Sequence, residues 1–156
     1  LPASLAATAQ RIMTGTAVRA SLLGQGALAR FIADGHFTAH LRRTRLLYAE
    51  RQQALIEAAD RPLKGLLEIA PDPGGMHLIA RPSAAIAARF DDHAVSAACA
   101  VRGVSVAPLS ACYSARPKQH GLLLGYAGTP AGDMAPALAI LRSVLQQVKD
   151  PSRRSG

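Results

Sequence analysis

The sequence predicts an α+β fold, a small mixed sheet of about four strands with helices packed on it. Three observations lead there. Long segments repeat their apolar residues at helical spacing; short apolar runs of strand length flank a turn rich in Pro and Gly; and the elements come as two helices, two strands, a helix, two strands and a helix. With 156 residues, 49% hydrophobic, 4% aromatic and no Trp, the core must be built from Ala, Leu, Val and Ile, and the length suffices for one without staples.

Taken in order, LPASLAATAQRI has a helical pattern, whereas MTGTAVRAS favours no state. From Ser21 to Asp34, Leu22, Leu23, Leu28, Phe31 and Ile32 recur at helical spacing, and Gly35 stands where a left-handed cap would end the helix. FTAHLRRTRLLYAERQQALIEAA then puts Phe37, Leu41, Tyr48 and Leu55 on one stripe, with Arg42, Arg45, Gln52 and Gln53 away from it. This makes an amphipathic helix of roughly six turns. Arg61-Pro62 is expected to close it, because Pro cannot donate to the preceding turn.

Leu66 to Ala70 and Met76 to Arg81 are strand-length apolar runs separated by Pro71-Asp72-Pro73-Gly74-Gly75, so a hairpin or two neighbouring strands are expected. Asp91 or Asp92 can cap a helix carrying Val95, Ala98, Cys99 and Val101, with Gly103 ending it before a strand at Val104-Ser105-Val106. GLLLGYA, Gly121 to Ala127, is apolar on both faces and is expected to be central in the sheet. Asp133 is a candidate N-cap for a last helix with Pro136 in its first turn and Leu138, Leu141, Leu145 and Val148 as its stripe. The tail PSRRSG is expected to fray.

The formal charge of +8 favours anionic partners or an acidic neighbouring domain, without naming either. Two cysteines, Cys99 and Cys112, are too few for a disulfide framework or a zinc knuckle, and point to a reducing, cytoplasmic compartment. No apolar run is long enough for a membrane span, so no membrane partner is expected. His36 and His40 have the spacing for one metal ion, but the accompanying Glu of the zinc-protease pattern is missing, and capping or packing histidines are expected instead. Arg42, Arg43 and Arg45 read as a solvated helix face before they read as phosphate contacts. Ser110, Cys112, Tyr113 and His120 lie close together, yet no nucleophile motif surrounds them, and a polar turn between strands is the plainer reading.

Four stretches, in order, carry a resemblance: ALARFIADGHFTAHLRRTRLLYAERQQAL, PDPGGMHLIARPS, RGVSVAPLSACYS and GLLLGYAGTP. The chain resembles the C-terminal part of a pyridoxal-phosphate fold-type I aminotransferase, and in particular the aminotransferase-like domain of MocR-type regulators in the GntR family. The run from Phe31 through Gly35-His36-Phe37, His40, Arg42-Arg43, Arg45, Tyr48 and Arg51 carries the most specific likeness; Pro73 to Met76 resembles the broader class. The resemblance covers about Leu1 to Leu145.

It implies residues 1–35 as a helical segment joining a large domain not in this sequence, 36–150 as the small domain and 151–156 as a tail. Family members carry pyridoxal phosphate on an upstream lysine and contact DNA through a domain further upstream still. Lys64, Lys118 and Lys149 have no such context, so no cofactor is expected on this chain alone, and pyridoxal phosphate is implied for the intact parent. Where aminotransferases of this class place an arginine on the substrate carboxylate, this sequence has Leu123. Ser110 and Tyr113, aligned with the family's turn, join Leu123 as effector-pocket candidates; no catalytic, cofactor-binding or metal residue is expected. The implied function is an effector-binding and oligomerising subdomain of a transcriptional regulator, a homodimer that binds a small molecule. A fragment of an active aminotransferase and a freestanding interaction module are the alternatives.

Overall fold

A computed structural model describes residues 2–15 and 22–149, with the side chains of Leu22, Leu23 and Lys149 outside the description. The expected tail at 151–156 and most of the undecided stretch MTGTAVRAS lie outside the described residues. The described elements are helices α1 (Ala3–Gly15), α2 (Leu22–Ala33), α3 (His36–Leu63), α4 (Asp92–Val101) and α5 (Ala131–Lys149), and strands β1 (Leu67–Ile69), β2 (His77–Pro82), β3 (Ala107–Pro108) and β4 (Leu122–Gly125). The chain divides into two units, Leu1–Thr44 and Arg45–Gly156.

In the first unit α2 ends as its pattern predicts. Gly35 takes φ +78°, and the Asp34 N–H still reaches the Arg30 carbonyl at 2.8 Å. Phe31 stacks on His36 with ring centroids 5.8 Å apart and meets Phe37 edge-on at 6.4 Å. Leu28, Phe31, Ile32, Phe37 and Leu41 nevertheless remain exposed. His40 Nε2 lies 3.5 Å from Thr44 Oγ1, and among the described residues no three potential metal ligands gather.

In the second unit the four strands form one sheet in the order β1-β2-β4-β3, and every neighbouring pair is antiparallel. The sheet is therefore not mixed as expected. No helix joins β1 to β2 and only a short 3-10 turn, Leu109–Cys112, lies between β3 and β4, whereas a parallel pair needs a crossover that is usually an α-helix. β4 is interior, as its doubly apolar sequence predicts. Leu78 and Ala80 of β2 and Leu122 and Leu124 of β4 form a core with Leu55, Ala59 and Leu63 of α3, Val95 and Cys99 of α4, and Met134, Leu138, Leu141, Val144 and Leu145 of α5. Each fully buried leucine contributes roughly 1.5–3 kcal/mol to holding these layers together.

Four local expectations shift. α3 runs through Pro62 and ends at Leu63, just before Gly65, which takes φ +72°; Pro62 forfeits one hydrogen bond in the last turn without ending it. Gln52, placed by periodicity away from the packed stripe, is half-buried. Val104 to Val106 form no strand, because α4 claims their backbone: Val104 N–H donates to the Cys99 carbonyl and the Val106 carbonyl accepts Ser96 Oγ at 2.7 Å. Pairing starts at Ala107 instead. α5 starts at Ala131, so Asp133 lies in its first turn, and not at the cap, where its charge still complements the helix dipole. Asp91 caps α4 by accepting the Ala94 N–H at 3.0 Å.

Candidate functional site

Alternation along β2 and β4 leaves one sheet face away from the core. Leu78 and Ala80 are buried beneath it, whereas His77, Ile79 and Arg81 point the other way. Ile79 pairs with Leu123, which is half-buried on the same face. Two adjoining cavities open here. One, of about 470 Å³, lies between the turn at Asp72, Gly74 and Gly75 and the side chains of Ile79, Arg81 and Leu123. The other, of about 420 Å³, continues over Leu123, Ala107 and Gly125 to Thr129. Met76 and His77 line both.

The turn that walls this face is held from α3. The Gln52 side-chain amide donates to the Asp72 carbonyl at 2.8 Å and accepts the Asp72 N–H at 3.3 Å, pairing with the turn as another backbone would. Gln52 also donates to the Tyr126 hydroxyl at 3.0 Å, and that hydroxyl donates to the Gly75 carbonyl at 2.9 Å. Tyr126, almost fully buried, meets Tyr48 edge-on at 6.4 Å, and Arg51 donates to the Ala127 carbonyl just beyond it. One phenol thus joins α3, the turn and the end of β4.

At the other end of β4 the organising group is Asp92. It is fully buried in the first turn of α4 and receives Ser110 N–H at 2.9 Å, Ser110 Oγ at 2.8 Å and Gly121 N–H at 3.3 Å, with His120 Nδ1 at 3.2 Å. Burial raises its pKa, but the bonds from Ser110, His120 and Gly121 outweigh burial and hold the carboxyl at about 2. The Ser110 hydroxyl is spent on the carboxylate and makes no bond to the imidazole, so the trio is not the relay that activates a serine nucleophile. It pins the turn between β3 and β4 to the start of α4.

Of the three residues singled out by resemblance, Leu123 lines the open sheet face, Ser110 is buried against Asp92, and Tyr113 is half-buried where a short 3-10 turn, Leu109–Cys112, ends. Ser110 and Tyr113 follow β3 and so lie beyond the Leu122 end of β4, away from the turn at residues 71–75. Sequence reasoning missed Asp92, Gln52 and Tyr126. A doublet such as Asp91-Asp92 does signal a cap, yet which carboxylate turns inward depends on the partners that the fold delivers.

No protein-family profile matches the chain. It is 39% identical over 143 residues, 92% of its length, to the "Probable rhizopine catabolism regulatory protein MocR" of Rhizobium meliloti, and covers 28% of that protein. It is 30% identical over 119 residues, 76% of its length, to the "Uncharacterized HTH-type transcriptional regulator YhdI" of Bacillus subtilis, covering 24% of it. The chain thus spans about a quarter of the length of the curated relatives it matches. Among solved structures, α-aminoadipate aminotransferase LysN of Thermus thermophilus superimposes with a TM-score of 0.74 at 20% identity, over 88% of this chain and 34% of that one. Kynurenine aminotransferase of Pyrococcus horikoshii gives 0.64 at 18% identity, over 76% and 28%. The structures establish the fold, that of the C-terminal part of an aminotransferase, and over most of its length the chain is similar in sequence to a MocR-type regulator.

Proposed function

We propose that this part of the regulator binds a small effector on the sheet face that carries Leu123 and contributes to oligomerisation, and that it has no catalytic activity by itself. The observation that carries the reading is the groove over Leu123 and Ile79, built on a rigid sheet and walled by a turn that α3 holds in place. Leu123 is central to it; Ser110 acts through Asp92 by fixing the neighbouring turn, and Tyr113 ends that turn. A domain upstream of the chain would complete the pocket, and the exposed apolar residues of the first unit, Leu28, Phe31 and Ile32 among them, support a further partner there.

Pyridoxal phosphate belongs to this reading as a ligand of the intact parent, where it would supply an electron sink for bound amines. Among the described side chains no lysine amine lines the groove that would have to anchor it. Lys64 sits in the turn after α3 and Lys118 in the exposed loop before β4, and neither lines the groove. Effector bound against Leu123 would favour one arrangement of domains or subunits over another, and that difference in affinity would reach DNA through an upstream domain.

The test has two arms. Mixed with pyridoxal phosphate and dialysed, the 156-residue chain should retain no chromophore; a retained chromophore that vanishes when one lysine is replaced overturns the non-catalytic reading. In the full-length regulator, Leu123→Asp should change how an effector alters DNA affinity while leaving DNA affinity without effector intact. An unchanged effector response would remove Leu123 from the pocket.

A further inference from the structure

The sheet face carries an exposed cation, Arg81. Arg81 is exposed at one end of the 470 Å³ cavity and, among the described residues, makes no hydrogen bond or ion pair. Glu68 stands opposite it in the register of β1 and β2 without bridging to it. Arg81 lies two residues beyond Ile79, the partner of Leu123, so guanidinium and apolar floor share one face. Met76, 50% exposed, extends that floor toward His77. At the far side the His77 imidazole lies over Gly125, where an added Cβ would come within 3.3 Å of its Cδ2; the missing side chain leaves the ring its place between the two cavities.

We propose that this groove takes a small monocarboxylate with an apolar body, its carboxylate on the Arg81 guanidinium and its body over Ile79 and Leu123. The inference rests on the reading of this face as the effector surface and names the class of effector. A guanidinium fork matches a carboxylate or a phosphate equally well in geometry. The neighbours decide between them. The floor of Ile79, Leu123 and Met76 offers a phosphate ion nothing, whereas it removes a branched aliphatic body from water.

The test titrates the 156-residue chain, labelled at Ile and Leu methyls for NMR, with isovalerate, its neutral amide isovaleramide and inorganic phosphate. Isovalerate should shift the Ile79 and Leu123 methyls at concentrations about tenfold lower than isovaleramide, the ratio expected for one charge-assisted contact. Phosphate should leave them in place. Arg81→Gln, a change at an exposed side chain, should erase the preference for the acid while the melting temperature stays put. Equal shifts by acid and amide, or a preference that survives Arg81→Gln, overturn the carboxylate assignment but leave the face a ligand surface. Shifts by phosphate matching those of isovalerate overturn the monoanion class. If none of the three moves either methyl, the carboxylate assignment falls, whereas the effector reading of this face stands or falls separately with Leu123→Asp in the full-length regulator.

Discussion

Asp92 shows how one residue sets the behaviour of a site that its neighbours in sequence do not reveal. Its folded pKa, about 2 against the ordinary 3.8, lies below the unfolded value, so the charged carboxylate contributes stability that is fully present above about pH 4 and is lost as pH falls through 2. The difference corresponds to roughly 2 kcal/mol. Denaturant midpoints measured from pH 5 to pH 2 should therefore fall in the native chain and change less in Asp92→Asn. Asp92→Ala should cost roughly 3 kcal/mol at neutral pH, because it strands the buried N–H groups of Ser110 and Gly121; thermal melting reads this directly. The two cysteines should also separate. Cys99 is fully buried and burial raises its pKa, only partly offset by Arg102, whereas Cys112 is exposed. Iodoacetamide should label Cys112 in the native chain and reach Cys99 only after unfolding, with peptide mapping as the readout.

Among the elements, the long helix α3 links packing to the candidate site. Its C-terminal half buries Leu55, Ala59 and Leu63, while Gln52 and Arg51, one turn earlier, hold the turn at residues 71–75 and the end of β4. Gln52→Leu should keep the helix and remove both bonds to Asp72. A loss of about 1–2 kcal/mol in stability is expected, together with faster amide exchange at Asp72; unchanged exchange would mean that the turn holds itself. Gly121 limits the sheet in another way. A Cβ there would stand 2.8 Å from the Ala80 carbonyl oxygen, backbone that cannot swing aside, so Gly121→Ala should destabilise β4 by more than a surface Gly→Ala change such as Gly128→Ala. Periodicity located these helices and strands to within a few residues. It misplaced Gln52, since a half-buried polar side chain with backbone partners reads in sequence like a solvated one.

For the whole molecule, the distribution of apolar surface matters most. The second unit closes its core, whereas Leu28, Phe31, Ile32, Phe37 and Leu41 of the first unit stay open to solvent. Sedimentation of the isolated chain should show association that grows with concentration, and Leu28→Ser with Phe31→Ser should weaken it. A monomer at every concentration would argue that these residues serve no self-association. Among the described residues no helix is long and apolar enough to cross a membrane.

The α+β class, the central place of GLLLGYA and the resemblance running through Phe31 to Arg51 were legible from residue order, because periodicity and turn chemistry are local properties of the chain. The antiparallel pairing of all four strands, the burial of Asp92 and the exposed guanidinium of Arg81 on the same face as Leu123 were not. Each depends on groups distant in the chain, from Ile69 paired with Ala80 to Ser110 bonded to Asp92, and only the assembled sheet brings such groups within hydrogen-bonding range. Local sequence specifies which element forms; long-range packing decides which side chains share a face, and the chemistry of this site belongs to that second level.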